Sequence, residues 1–305
     1  MAFTLALIPV IILLVFIYKK DKKEKEPIGL LIGLFFAGAA TVISALILES
    51  IGEVIFNLIY PYDSPVKTFL EALFVVGPAE EMGKYVALRL VTWKNKNFDY
   101  SYDAIVYAVF VSLGFAAVEN IAYVFSYGIG TAVMRMFTAI PGHASFAVFM
   151  GYFYSRAKYA KLTNNAKDYK KNISLACFVP IITHGLYDAV ILGGTSSDNI
   201  LAVGTSIILW VILVVVLFIF SIVTVVKASK NDFCIVALPG NIFTVYAPGV
   251  AGPWVCGCGM TNQLNFCPRC GQMRPAGAVW YCPNCGIPSA YNFCGRCGCP
   301  APGSR

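Results

Sequence analysis

Charged residues are scarce in this 305-residue chain, and histidine is almost absent from it. Asp, Glu, Lys and Arg together make up 13% of the sequence, and only two histidines occur. Hydrophobic residues account for 58%, many of them in long uninterrupted runs. This composition excludes an ordinary soluble domain and is typical of a polytopic helical membrane protein. The net charge of +7 therefore informs about topology rather than about nucleic-acid binding.

The cysteines are unevenly distributed along the chain. Nine of the eleven cysteines lie between Cys256 and Cys299, which leaves two for the rest of the chain. Such clustering indicates metal ligands rather than a dispersed disulfide framework.

The apolar runs predict an all-α polytopic membrane protein with about seven transmembrane helices. The first run is followed at once by a basic stretch at 19–25 and has no cleavage site, so it is expected to be a retained helix. Lys and Arg cluster after alternate segments, with Lys67 and Arg135 as exceptions, which predicts an outside N-terminus and a cytoplasmic C-terminus in the cell membrane. The predicted helices cover residues 2–18, 28–50, 66–92, 103–126, 132–155, 172–192 and 200–226.

The C-terminal part has a different composition. Residues 1–230 form the predicted membrane core, 231–253 a linker rich in Pro and Gly, and 254–305 a small domain with an internal repeat. Each repeat has two cysteine pairs separated by eight residues, which predicts two zinc ribbons with one structural zinc ion each. Cys299 is left over, and the first pair is Cys-x-Cys. The predicted zinc ligands are Cys256, Cys258, Cys267, Cys270, Cys282, Cys285, Cys294 and Cys297.

The charges of this tail predict its kind of partner. From Phe233 onward it has four Arg, no Lys and no acidic residue. Two tetrathiolate zinc centres would roughly cancel the four Arg. We therefore expect the ribbons to contact a protein and expect no nucleic-acid partner.

Three charged residues lie close together near the centre of one of the predicted membrane helices. Glu80, Glu81 and Lys84 stand in the apolar run of residues 66–92. A charge near the centre of a bilayer costs about 2.5–3.5 kcal/mol on insertion scales, so such residues are usually functional. Glu80 and Lys84 are four residues apart and are predicted to pair on one helix face. Glu81 points roughly 100° away, which predicts that it does not simply share this ion pair.

The next predicted helices supply further polar residues at membrane depth. Glu119 lies in the fourth helix, and the two histidines of the chain, His143 and His184, lie in the fifth and sixth. Asp188 follows His184 by one turn, so a carboxylate can orient that imidazole. Together with Glu80, Glu81 and Lys84, these residues form a candidate catalytic constellation.

The ordered motifs resemble those of the PrsW family of intramembrane proteases. They are Glu80-Glu81-x-x-Lys84, Phe115-x-x-x-Glu119, the isolated His143 after Pro-Gly, and His184-x-x-x-Asp188. The resemblance extends over about residues 1–226. Related CAAX prenyl endopeptidases differ in having His in place of Glu119 and often Asn in place of Asp188.

This resemblance implies hydrolysis of a peptide bond in or beside the membrane, in a membrane protein or peptide substrate. Glu80 would be the general base that activates water, with Glu119 assisting. His184 and Asp188 would position the scissile carbonyl or stabilise its oxyanion, assisted by His143. Glu81 and Lys84 would tune Glu80.

Other functions remain open from the sequence alone. His143, His184, Glu119 and Asp188 are potential zinc ligands, although no HExxH motif pairs two ligands on one helix. Membrane carboxylates and histidines also form proton or cation pathways, but the seven segments show no evident inverted repeat. In a third interpretation the membrane part is a degenerate scaffold for working zinc ribbons, which its intact motifs disfavour.

Overall fold

A computed structural model describes residues 2–235 of the chain and short parts of its C-terminal region. The described C-terminal residues are 254–255, 261–262, 280–282, 286 and 288–289. The chain divides into two compact units, Met1–Phe233 and Cys234–Arg305.

The first unit is a bundle of α-helices, and every predicted membrane segment is helical in it. The segment predicted at 132–155 is broken at Thr138, however, so a short separate helix precedes the long one. The helices are α1 (Ala2–Lys20), α2 (Ile28–Ile59), α3 (Pro65–Glu71), α4 (Gly77–Thr92), α5 (Asp103–Tyr127), α6 (Ile129–Phe137), α7 (Ala139–Leu162), α8 (Ala166–Asp188) and α9 (Ile200–Lys230).

Two π-helical turns extend these helices. Ala72–Val76 joins α3 to α4 without a break, and Ala189–Gly193 continues α8. Such turns are rare in proteins, and those that do occur often lie at functional sites.

Side-chain caps mark where several helices begin. Ser64 accepts a hydrogen bond from the backbone N–H of Lys67, and Pro65 occupies the first position of α3. The Asn199 side chain accepts from two backbone N–H groups at the start of α9. These polar residues satisfy donors that the first helical turn leaves without partners.

Within the described residues, four helical segments are long and apolar enough to cross a membrane. They are Ile28–Ile59, Asp103–Tyr127, Ala166–Gly193 and Ile200–Lys230. The protein is therefore an all-helical membrane protein in this part, whereas the count of seven membrane crossings stays a prediction. The segment with α4 carries Glu80, Glu81 and Lys84, which lower its hydropathy.

Helix α5 is the centre of the bundle. Of its apolar window 78% is buried, against 11% for α9, whose large aliphatic side chains face outward as expected for lipid contact. Glycines allow α2 to approach α5 closely. A Cβ atom on Gly38 would lie 1.8 Å from the Val111 carbonyl oxygen, and one on Gly114 would lie 1.9 Å from that of Phe35.

The described part of the second unit contains two short antiparallel strand pairs. Trp254–Val255 pairs with Thr261–Asn262, and Trp280–Tyr281 pairs with Pro288–Ser289. The two pairs begin at equivalent tryptophans of the internal repeat.

One predicted zinc ligand, Cys282, belongs to the described residues. It is buried, and its carbonyl oxygen accepts a hydrogen bond from Gly286 at 2.7 Å. Gly286 has a φ of 67°, a conformation that favours glycine. Zinc binding by the tail stays a prediction, because seven predicted ligands lie outside the described residues: Cys256, Cys258, Cys267, Cys270, Cys285, Cys294 and Cys297.

Two carboxyl groups are buried in the segment between α1 and α2. Asp21 and Glu26 are 1% and 3% exposed, and the Tyr107 hydroxyl donates a hydrogen bond to Glu26. Burial raises the pKa of Asp21 to about 7, although the charge of Lys25 partly opposes this. Burial likewise raises the pKa of Glu26 to about 8.

These two groups predict that the bundle becomes less stable as the pH rises. Their unfolded pKa values are about 4, so between about pH 4 and 8 the folded state binds more protons than the unfolded state. We expect a lower unfolding temperature in detergent at pH 8.5 than at pH 5.5, and a weaker dependence in an Asp21→Asn/Glu26→Gln variant. The exposed Asp198→Asn is the control. An equal pH dependence in all three proteins would contradict the prediction.

Candidate active site

Two glycines bring α4 and α8 into contact beside the predicted catalytic residues. A Cβ atom on Gly77 would lie 2.8 Å from the backbone nitrogen of Gly185 and 2.9 Å from the Ile181 carbonyl oxygen. Gly185 adjoins His184, and Gly77 lies one turn before Glu80 and Glu81. The close backbone approach therefore places these carboxylates against the imidazole.

The Lys84 ammonium is the centre of the site. Its Nζ atom lies 2.9 Å from Glu80 Oε2, 2.7 Å from Glu81 Oε1 and 3.3 Å from His143 Nδ1. The Lys84 side chain is fully buried. The expectation that Glu81 does not share the ion pair of Glu80 with Lys84 was wrong, because residues three and four apart both reach one long side chain.

His143 connects this centre to α5. Because Lys84 donates to Nδ1, the ring proton of the imidazole lies on Nε2, which is 2.8 Å from Glu119 Oε2. The Ser112 hydroxyl donates to the His143 carbonyl oxygen at 2.9 Å and fixes the helix register. On the same helix as Ser112, the Phe115 ring lies 3.9 Å from Lys84 Nζ, a cation–π contact.

His184 is held between two carboxylates. Its Nδ1 lies 2.9 Å from Glu81 Oε1, and its Nε2 lies 3.2 Å from Asp188 Oδ2, one turn further along the chain. An imidazole donates to two carboxylates only when both nitrogens carry a proton. The ring also stacks on Phe146, with the centroids 4.7 Å apart.

All seven residues predicted from the sequence meet in one place. Glu80, Glu81 and Lys84 form the interior with the two imidazoles, while Glu119 and Asp188 contact the outer nitrogens of His143 and His184. The exposed fraction of the side chains rises outward, from 0% for Glu81 and 8% for Glu80 to 19% for Glu119 and Asp188. The site therefore opens on the side of Glu119 and Asp188.

Arg135 is a site residue that the sequence argument treated only as a topological exception. Its Nη2 lies 2.8 Å from Glu119 Oε2, and its Nε donates to Asn120 at 2.9 Å. Asn120 in turn donates to the Ala6 carbonyl oxygen of α1. The signal in the sequence was a lone cation beside an otherwise uncharged loop, sixteen residues after Glu119.

The interior of the site contains a donor set that can hold a metal ion. One ligand atom each of Glu80, Glu81, His143 and His184 lies within 4.8 Å of the others, and all four residues are buried. This corrects the ligand set considered from the sequence, because Glu119 and Asp188 lie behind the histidines instead. Carboxylates in that outer position are typical of metal-bound histidines.

The four side chains are suitable ligands for a divalent metal ion, but the positive charge of protonated Lys84 opposes the binding of such an ion. The ammonium contacts Glu80, Glu81 and His143, which are three of the four donors. A divalent cation among these donors would be repelled by the buried ammonium. Metal binding therefore requires Lys84 to lose its proton or to move.

Comparison with known proteins agrees with this geometry. A family model described as PrsW family intramembrane metalloprotease matches residues 26–223. The chain belongs to the PrsW family. All seven site residues lie within the matched region, and the cysteine-rich tail lies outside it.

Three relatives named Protease PrsW cover most of their own length. The protein of Oceanobacillus iheyensis is 38% identical, over 67% of this chain and 88% of the relative. Those of Clostridioides difficile and Halalkalibacterium halodurans are 33% and 31% identical, over 68% of this chain and 86% and 91% of their own lengths. No solved structure matches. The chain is an intramembrane protease, as the sequence predicted.

The contact between α4 and α8 predicts a selective effect of a single methyl group. Gly77→Ala should separate Glu81 from His184 and reduce hydrolysis at least about tenfold, because the added Cβ meets backbone atoms. The control is Gly142→Ala, beside His143, whose Cβ would meet only side-chain atoms at 3.6 Å or more. Cleavage rates of both variants in detergent test this. Equal rates would contradict the proposed helix contact.

Proposed function

We propose that Glu80 is the general base that activates water for peptide-bond hydrolysis in or beside the membrane. Exposure supports Glu80 over Glu81. Each carboxylate makes its contacts through one oxygen, Oε2 in Glu80 and Oε1 in Glu81, but only the Glu80 side chain is exposed, by 8%. Glu81 is fully buried and is held by both Lys84 and His184. A base needs a free oxygen and access to water, which Glu80 has.

Lys84 and Glu81 prepare this base. The ammonium offsets the negative charge of the Glu80 carboxylate, which it contacts at 2.9 Å. Glu81 balances the remaining charge of the ammonium and orients His184 through Nδ1. Both residues are therefore positioning residues.

The two histidines have different roles, and His184 is the one that acts on the scissile carbonyl. The His184 contact to Asp188 is longer and more exposed than its contact to Glu81, so Nε2 is the nitrogen that turns to the developing oxyanion. His143 remains neutral between Lys84 and Glu119 and keeps the ammonium in place. Arg135 neutralises Glu119 at the outer side of the site.

The hydrolysis balances with these groups alone. The water oxygen bonds to the carbonyl carbon while Glu80 takes the water proton, and the carbonyl oxygen becomes the oxyanion beside His184. When the C–N bond breaks, Glu80 returns the proton to the leaving nitrogen. The products then leave as a carboxylic acid, which keeps the second proton of the water, and an amine.

A metal-dependent hydrolase is the second candidate. The buried donor set and the carboxylates behind both histidines favour it, as does the description of the matched family. Glu80, Glu81, His143 and His184 would hold the ion, which would supply a Lewis acid at the carbonyl. The charge of Lys84 favours the first candidate.

Glu80→Gln should abolish hydrolysis and lower the unfolding temperature less than Glu81→Gln does, because Glu80 is the less buried of these two partners of Lys84. The amide has the same shape but cannot take a proton. Glu81→Gln should also lower the unfolding temperature, because weakening a buried ion pair costs up to about 3–5 kcal/mol. Cleavage of a membrane peptide library, read by mass spectrometry, measures the activity.

The exposed Glu53→Gln on α2 controls for the change from carboxylate to amide. Its rate should equal that of the unchanged protein. A Glu80→Gln variant that keeps more than a modest part of this rate would refute the general-base assignment.

We also propose that the C-terminal tail binds zinc and that it lies in the cytoplasm. The repeated cysteine pairs support two structural zinc ions at residues 254–305, and the Lys and Arg distribution supports a cytoplasmic tail with an outside N-terminus. The ribbons would contact a protein partner. Elemental analysis of the full chain should give two zinc ions, and a reporter active only in the cytoplasm should work after Arg305. Failure of either result would exclude the corresponding proposal.

A further inference from the structure

Glu49 is a half-buried carboxylate beside the active site that belongs to none of the four sequence motifs. It lies on α2, and the charged groups that act on it include Glu80, Glu119, His184 and Lys84. Among the described residues, it makes no hydrogen bond or ion pair. A charged group in a membrane helix with no partner is costly and requires a reason.

The packing of α2 against the segment with α4 fixes the position of Glu49. Gly83 packs against Thr41 and Ser44, and Gly52 packs against Val75. Glu49 lies between these two levels, about one helical turn from Glu80 toward the Ile59 end of α2. A substrate whose scissile bond lies at Glu80 therefore passes Glu49 within a few residues of that bond.

The charges of the site leave Glu49 without a counter-ion. Lys84 contacts Glu80 and Glu81, His184 contacts Glu81 and Asp188, and the Arg135 guanidinium contacts Glu119 and Asn120. Even with His184 counted as charged, the four carboxylates in these contacts outnumber the three cations. Glu49 adds a further carboxyl group to this excess. Such a site attracts a cation and repels an anion.

We propose that Glu49 binds a Lys or Arg side chain of the substrate and selects substrates with that basic residue near the scissile bond. The basic residue of the substrate lies on the side of the scissile bond that faces the Ile59 end of α2. Its positive charge pairs with Glu49, which no cation of the site contacts, whereas an acidic residue at this substrate position would be repelled. This proposal rests on the assignment of the active centre around Glu80.

Glu53 provides a matched comparison. It is the next acidic residue of α2, one turn further toward Ile59, and it is exposed. A carboxylate that only marked the membrane surface would behave like Glu53. A substrate-binding carboxylate changes which peptides are cut.

The first test is the cleavage profile of a membrane peptide library. The unchanged protein should cut peptides with Lys or Arg near the bond about tenfold faster than their Gln twins, since opposite charges in a partly buried site attract strongly. Glu49→Gln should cut both at one rate, Glu49→Lys should prefer acidic twins, and Glu49→Asp should keep the basic preference. Glu53→Gln should match the unchanged protein.

The second test measures binding without hydrolysis. In a Glu80→Gln background, a Leu–Ala membrane peptide with one central Lys should bind about tenfold tighter than its Gln twin. The preference should vanish when Glu49→Gln is added and persist when Glu53→Gln is added. Fluorescence anisotropy in nanodiscs measures the binding affinity of both peptides.

The outcomes separate the two proposals. Cleavage that depends on Glu80 but shows no basic preference, or equal binding of both peptides, overturns the role of Glu49 and leaves the active centre intact. Loss of all cleavage in Glu49→Gln with unchanged Lys preference in binding overturns it too, because Glu49 would then take part in hydrolysis. Hydrolysis that survives Glu80→Gln refutes the active centre itself, while the binding preference still tests Glu49.

Discussion

The buried ammonium of Lys84 is the constraint on which the active site depends. A cation that water does not reach is tolerated only when its donors are satisfied, and here Glu80, Glu81 and His143 satisfy them. These contacts tie α4 to α7, while the Phe115 ring adds α5. The contacts that neutralise this one charge thus bring the candidate catalytic groups together.

The same arrangement divides the work between inner and outer residues. Glu81 is inaccessible and contacts His184, whereas the Glu80 side chain is 8% exposed. Glu119 and Asp188 stand behind the histidines and are the more exposed. The inner groups are therefore held by several buried contacts, and the outer groups are the more accessible to a substrate. Such preorganisation lowers the cost of stabilising charge in the transition state.

Much of this site could be predicted because charges in apolar helices are costly and therefore rare. Glu80, His143 and His184 are conspicuous for that reason. Arg135 and Glu49 were not, since Arg135 lies near a loop and Glu49 lies near the end of the helix predicted at 28–50, which the structure extends to Ile59. Their positions beside the site depend on which helices pack together, and for Glu49 this is the packing of α2 at Gly52 and Gly83. The break at Thr138 was also missed, because the apolar pattern continues across it.

Counting metal ions in the full-length protein tests the central claim most directly. We expect the same zinc content, two ions per chain in the tail, in the unchanged protein and in a His143→Gln/His184→Gln variant. The reason is that Lys84 provides the cation of the active centre. Loss of one zinc ion per chain in the variant, with loss of hydrolysis on chelation, would contradict this account and establish a metalloprotease.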